Sequence, residues 1–453
     1  MPSDLSPDLR ERLRRLGVVR GARLLPSSPR RPVAIESVLP GSFHQTPAGR
    51  CWLARTEYPA GHPHGRLPLQ SFLALSSDVL AVIGGDPSLA AVPLSQALFL
   101  DTETTGLSGG TGTMAFLVGL GFFEEDCFVV LQVFLRDPGD EPAMIGFLDE
   151  FLPRFRWLVT FNGRGFDIPI LQNRFILARR PFPLDGVPHL DLLAPARRLW
   201  RERLVSCALT ALEREILGVV RDQADIPSGV IPLVYRDYLR TGDAREIPRI
   251  LYHNRIDIMS MPVLAAHLGR VFADPEGEAG LSGEELGALA RWYRDAGRDS
   301  EGLLRAALRR ARPGAQRARY LTELARTVKR QGEWGRSVEW WQQLVLEVPD
   351  RVEPAVELAK VYEWHLDRPG LALGWAREAL RRAEKLPPGP RREQEIAEIQ
   401  HRIHRLERRM LPHLPPHPPF PLLPRNGGEG GKEEGVWGRR LRRRPQTPII
   451  SPS

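Results

Sequence analysis

Three short stretches place acidic side chains where an unpartnered acid is unfavourable. In LFLDTETTGL, residues 98–107, Asp101 and Glu103 close an apolar run. On a strand, positions i and i+2 project from one face, so these two carboxylates point together. Side by side they repel each other and lose hydration, and such a pair is normally neutralised by protonation or by a cation. In LVTFNGRGFDIPIL a strand ends at Asn162 and Gly163, and Asp167 opens the next helix, facing the sheet end. In YHNRIDIMSM, Asp257 lies in a helix among Ile256, Ile258 and Met261, where a carboxylate needs a partner. Singly, each acid reads equally well as a cap, a turn or a paired structural charge, and Gly106, Gly109, Gly110 and Gly112 suit a turn after the first pair. Together they form a more specific pattern of oxygen ligands, suited to hard divalent cations.

The elements that would position these acids are legible from periodicity. The runs ALFLD, MAFLVGLGFF and CFVVLQVFL predict three sequential strands in a meander. A helix from Glu141 to Phe155, a strand at WLVTF, a helix opened by Phe166 and Asp167, and a strand at HLDLL follow. Helices around Ala208 to Leu217 and around Ile247 to Leu268 come next. This order predicts an α/β domain over 96–272, a mixed sheet flanked by helices. Residues 1–95, with Pro-rich loops and short runs such as CWLARTEYP, read as a separate lead-in region. Asp191 is either a strand-end cap or a support for the acids. His44, Cys51, His62 and His64 match no standard zinc spacing, so loop or buried histidines are expected there.

After Pro275 the texture becomes Arg, Ala, Leu, Glu and Trp at helical spacing. Glu323-Leu324-Ala325 recurs as Glu357-Leu358-Ala359 and Trp341 as Trp375, each 34 positions on. A 34-residue period of paired helices over 280–408 resembles the tetratricopeptide repeat. Such repeats bury their apolar faces mainly against one another, so the α/β domain is expected to fold without them. They would offer a surface to a protein partner, and the tryptophans at 292, 334, 340, 341, 364 and 375 read as their core. Residues 411–453 are Pro-, Gly- and Arg-rich and are expected to be disordered.

Composition narrows the class. At 453 residues, with 42% hydrophobic and 26% charged, the chain is globular, with about three domains. Three cysteines give no disulfide framework. No membrane-length apolar run is evident, and the charged start MPSDLSPDLRERLRRLG is unlike a signal peptide, so no membrane association and a cytoplasmic location are expected. The net charge of +8 says little about the substrate. Residues 96–270 carry 19 basic and 22 acidic side chains, so the segment holding the acids is itself mildly negative.

The set Asp101, Glu103, Asp167 and Asp257 resembles the DEDD exonuclease superfamily of the ribonuclease-H fold. The stretches LFLDTETTGLSGGTGT, LVTFNGRGFDIPIL and YHNRIDIMSM are most similar to the bacterial YprB-like predicted exonucleases. The resemblance runs from about Gly41 to Arg270. It implies a 3′-to-5′ exonuclease acting on single-stranded nucleic acid ends with two divalent cations, Mg²⁺ or Mn²⁺. Asp101 would bridge both ions, Glu103 and Asp257 would complete one, and Asp167 would hold the second. Thr104, Thr105, Gly106 and Leu107 would meet the terminal nucleotide, with Asn162 as a further polar contact. Members of that superfamily usually carry His five positions or Tyr four positions before the last aspartate; here Tyr252 stands at minus five and His253 at minus four. Four helical positions leave an offset of about 40° and five about 140°, so His253 is the expected general base and Tyr252 the alternative. Two other functions compete: a repeat-based scaffold with a vestigial nuclease domain, and a ribonuclease H or resolvase-type endonuclease.

Overall fold

A computed structural model describes residues 31–106, 112–222 and 224–411. Nine strands are present among them: β1 (Ser42–Thr46), β2 (Gly49–Pro59), β3 (Pro63–His64), β4 (Leu67–Pro68), β5 (Ala97–Thr104), β6 (Ala115–Glu124), β7 (Cys127–Phe134), β8 (Trp157–Thr160) and β9 (His189–Asp191). Seven form one sheet in the order β1-β2-β7-β6-β5-β8-β9, and β3 and β4 form a small separate hairpin. The meander β5-β6-β7 is antiparallel, as the apolar runs predict, whereas β8 and β9 run parallel to β5. The sheet is therefore mixed, and its direction changes at β5.

The lead-in region is not separate from this sheet. Strand β2 pairs with β7 over eight residues, Trp52 to Pro59, and β1 forms the edge beyond it. The pairing joins positions some 75 residues apart, which local pattern cannot reveal. The domain that begins at residue 96 in the sequence reading therefore begins near residue 42 in the structure. Residues 412–453, expected to be disordered, lie outside the described residues.

Helices cover both faces. One face of β5, carrying Ala97 and Phe99, is buried with α1 (Ser77–Gly84) and later helices, and the other, carrying Leu98 and Leu100, with α2 (Glu141–Phe151) and α3 (Asp167–Leu177). Next come α4 (Leu193–Trp200), α5 (Leu209–Leu212) continued by a π-helical turn over Glu213–Leu217, α6 (Ile231–Thr241) and α7 (Ile247–Ala273). By length and composition α7 could cross a membrane, but here it is the central helix of the fold, 72% buried over its most apolar window.

Helix α7 comes unusually close to the sheet because β6 offers it two glycines. A Cβ on Gly119 would stand 2.2 Å from Asn254 Oδ1, and one on Gly121 would stand 2.4 Å from Ile258 Cγ2. Glycine within a strand commonly marks such an approach. The close contact lowers the middle of α7 onto β5 at the height of Asp101.

The C-terminal region is wholly helical among the described residues: α8 (Gly283–Asp295), α9 (Glu301–Arg310), α10 (Ala315–Arg330), α11 (Trp334–Glu347), α12 (Glu353–Trp364), α13 (Pro369–Ala383) and α14 (Pro390–Met410). Leu324 and Leu358, equivalent by the 34-residue offset, are both fully buried, on α10 and α12. The helices bury part of their apolar faces against one another, as in the cluster of Ala355, Ala376 and Ile403, but not all of it. A single core runs from Phe99 and Trp157 through Trp200 and Phe272 to Trp292, Tyr320 and Trp341. Trp200 Nε1 donates to Glu285 at 2.9 Å, and the Phe272 and Trp292 rings lie 5.1 Å apart. Trp364, expected in the core, is 55% exposed beneath the Arg402 guanidinium.

Candidate active site

The acids gather where β5 outruns its parallel neighbour. Strand β8 pairs with β5 only as far as Phe99, so the backbone beyond it has no ladder partner on that side. Asp167 fills the gap: its Oδ1 accepts from Thr102 N at 2.9 Å and from Thr102 Oγ1 at 2.5 Å. Asp101 and Glu103, on the opposite face from Thr102, turn toward α7. A register shift between β5 and β6 falls at Glu103 and Thr104, and such irregularities re-aim side chains. Asp257 comes down from α7. All four carboxylates line one cleft of about 930 Å³, together with Asn162 and His253.

Three of the four acids are steadied by a neighbour, Asp167 by Thr102 as above. Asn254 Nδ2 donates to Asp101 Oδ2 at 2.8 Å, and Gln132 Nε2 fixes Asn254 through its Oδ1 at 2.7 Å. Asp257 Oδ1 accepts from Arg221 Nη2, and the same guanidinium holds the buried Glu213 through Nε at 2.6 Å and Nη2 at 2.8 Å. Glu213 also accepts from Ser260 Oγ at 2.7 Å, and Ser260 lies 2.8 Å from His64 Nε2. His64 is therefore a buried structural histidine, as its spacing led one to expect, and His44 is a cross-strand neighbour of Cys51.

His253 is buried, and its ring faces two ways. Nδ1 lies 2.7 Å from Asp225 Oδ1; Nε2 lies 3.2 Å from Ser228 Oγ, 3.6 Å from Asp257 Oδ2 and 4.0 Å from Glu103 Oε1. A proton on Nδ1 donated to Asp225 leaves the Nε2 lone pair toward the acids. Arg221 Nη1, 3.0 Å from Nδ1, is then an adjacent charge rather than a donor to it. Tyr252, one residue earlier, faces elsewhere, and its hydroxyl accepts from Asp222 N at 3.0 Å.

The remaining sequence candidates divide. The Thr104 hydroxyl donates to Gly106 O at 2.8 Å and the Thr105 hydroxyl accepts from Met114 N at 3.1 Å, so both side chains are committed to shaping the turn. Leu107 lies outside the described residues. Asn162 holds a left-handed backbone, φ 67°, and its N–H donates to Asp191. Asp191 accepts two further backbone N–H groups, from Arg164 and Leu193, and so is the cap that shapes the Asn162 loop. Sequence reading missed Arg221, Glu213, Asp225, Asn254 and Gln132.

Electrostatics make this cluster short of positive charge. Burial, and then the charges of Asp257 and Asp167, hold the carboxyls of Asp101 and Glu103 well above the usual carboxylate range. Burial also pushes Asp167 up to about 6, against the opposing bonds from Thr102. Among the described residues no three His, Cys, Asp or Glu side chains are already drawn together as a ligand set; Thr102, Asn254 and Arg221 each hold one acid. An oxygen-rich cluster whose members resist ionising together is nevertheless a donor set that fits divalent cations.

Comparison with known proteins agrees with this architecture. The family model RNase_H_2, of the RNase_H superfamily, matches residues 98–269, the stretch from β5 into α7. The uncharacterized protein YprB of Bacillus subtilis (strain 168) is 30% identical over 340 residues, covering 73% of this chain and 80% of that protein. The chain belongs to the YprB family. In this YprB-family chain the RNase_H-superfamily domain supports a nuclease activity, and with it a nucleic-acid substrate. Nucleases of this kind generally use divalent metals. A crystal structure of PcrH in complex with the chaperone binding region of PopD is 18% identical to this chain, covering 28% of it and 91% of the PcrH-complex chain, at a TM-score of 0.24; a likeness that weak carries no argument.

Proposed function

We propose that the protein is a 3′-to-5′ exonuclease that hydrolyses the terminal phosphodiester of single-stranded nucleic acid. The observation that carries this reading is the meeting of Asp101, Glu103, Asp167 and Asp257 in one cleft, with His253 Nε2 facing two of them. Asp101, Glu103 and Asp257, with Asp167, would hold two divalent cations, Mg²⁺ or Mn²⁺. When bound, these ions neutralise phosphate charge and lower the pKa of water. His253, its ring oriented by Asp225, accepts at Nε2 the proton of the water that attacks phosphorus. As the P–O bond breaks, the 3′ oxygen leaves and takes up a proton from solvent. Asn162 and the backbone around Thr104 to Gly106 border the place of the terminal nucleotide.

End-labelled DNA and RNA oligonucleotides with Mg²⁺ or Mn²⁺ test the reading. A ladder shortening one nucleotide at a time from the 3′ end is expected; internal cuts, or no cleavage of either, would overturn it.

Two predictions follow from the geometry. His253→Ala is expected to lower the rate about ten- to a hundredfold across pH 5 to 9, at or below the lower end of the range for losing a general base. Tyr252→Phe should leave the rate near wild type; the reverse ranking would make the tyrosine the base. The second concerns cations. A carboxyl whose folded pKa is raised contributes stability below its unfolded value near 4 and loses that contribution as pH climbs through the folded value. For Asp167 the window runs from about 4 to about 6, and for Asp101 and Glu103 it extends higher. The rise in melting temperature on adding Mg²⁺ or Mn²⁺ should therefore be small at pH 5 and grow toward pH 7.5. An equal rise at both pH values would argue against the acids as the cation site.

A further inference from the structure

The cleft has a second wall, which the proposed chemistry does not use. Besides the acids it is lined by Arg197 and Arg201 at the end of α4 and by Leu204, Val205 and Cys207 of the loop that follows. Ala196, Leu199 and Trp200 turn the buried side of α4 into the core. Arg197 and Arg201, four positions apart and thus about 6 Å along the helix axis, share the exposed side.

They differ from three neighbouring arginines in having no partner among the described residues. Arg198 is bound to Asp295, Arg203 to Glu285, and Arg164 to the His189 carbonyl. Among the described residues neither Arg197 nor Arg201 has a side-chain hydrogen bond or an ion pair, although both border a cavity that the four acids also line. Two guanidiniums left unpaired at a cleft wall are available to an incoming anion. Val205 beside them is fully exposed, an apolar contact for a base. Leu193 and Arg197 also line an adjoining cavity of about 440 Å³, so the concave surface continues past the reacting end.

We propose that Arg197 and Arg201 form a phosphate-binding track for the nucleic-acid strand behind its terminal nucleotide. The inference rests on the nuclease reading, and it adds the class of contact that selects a polymer over a single nucleotide. Guanidinium groups suit this because they bind phosphate oxygens through paired donors and stay charged at any working pH. The acids need cations to accept a phosphodiester, whereas this wall attracts the following phosphates without them.

The test measures binding of fluorescein-labelled single-stranded DNA and RNA to the full chain by anisotropy. Ca²⁺ is present, and salt is varied from about 50 to about 200 mM. Each phosphate contact on a single strand contributes about 0.7 to the slope of log affinity against log salt. The Arg197→Ala, Arg201→Ala double variant is expected to bind about tenfold more weakly at the lower salt, with a slope shallower by about 1.4. The double lysine variant should keep most of the slope while losing affinity. Loss on only one of the two polymers would still support the track and would identify the substrate. An unchanged affinity and slope on both, in a double variant that folds normally, would overturn it. Wild-type binding with a normal slope but without stepwise shortening in Mg²⁺ or Mn²⁺ would instead defeat the exonuclease reading and leave the track standing.

Discussion

Asp101→Asn is expected to lower cleavage at least about a hundredfold, and toward a thousandfold, while raising the melting temperature of the cation-free protein. The two effects share one cause. Burial, and then the charges of Asp257, Asp167 and Glu103, all oppose the ionisation of Asp101. An asparagine keeps the size and leaves an oxygen to accept from Asn254, so the contact between β5 and α7 survives. It cannot ionise, so the cost of charging a buried acid beside three others disappears, and it takes away a carboxylate that the proposed cations would need. A loss of this size is what removing one preorganised electrostatic group from a reacting centre produces. The opposed signs make the test sharp, because a merely structural residue would lose stability and activity together. Wild-type cleavage by a normally folded variant would place the chemistry elsewhere.

Ending the chain at Pro275 is expected to leave a protein that does not fold stably. The cut removes α8, and with it the cover over Trp200 and Phe272. Trp200 Nε1 and Arg203 lose Glu285, and the Phe272 carbonyl loses the Tyr293 hydroxyl that donates to it at 2.6 Å. Leu286, Leu289 and Trp292 alone bury apolar surface worth about 1.5–3 kcal/mol each, against a typical total stability of about 5–15 kcal/mol. Circular dichroism melts and limited proteolysis of the 1–275 fragment check this. A fragment ending at Arg310 keeps the contacts to α4 and α7 and should melt closer to the full chain. A monomeric 1–275 fragment with a near-native melting temperature would show that the shared core contributes little.

What could be read in the sequence followed from short-range geometry. Asp101 and Glu103 were legible because a strand repeats every two residues, and His253 with Asp257 because a helix nearly repeats every four. Asp167 was legible as the first acid after a strand end. Arg221, Glu213 and Asp225 were not, because they sit in a π-helical turn and an irregular loop whose shape comes only from what they touch. The Gly119 and Gly121 pair was a readable sign of a close approach within MAFLVGLGFF, but nothing nearby in sequence says that α7 is what approaches. The same limit applies to the C-terminal helices. Periodicity told which faces are apolar and was silent on what covers them, so the continuity from Trp157 to Trp341 emerged only from the packing.

The Arg221 bridge between Glu213 and Asp257 has a bearing on how the molecule is made. A newly synthesised chain must bring several carboxylates together before any metal ion is guaranteed to be at hand. Arg221 supplies a built-in positive charge for that moment, so the fold can close in a medium poor in free divalent cation. Under the proposed cation site, an ion coming to Asp257 would meet a carboxylate already paired with a guanidinium. Glu213, itself held by Ser260, anchors that guanidinium from its other side. The acids are thus gathered around a positive charge that the gene itself encodes.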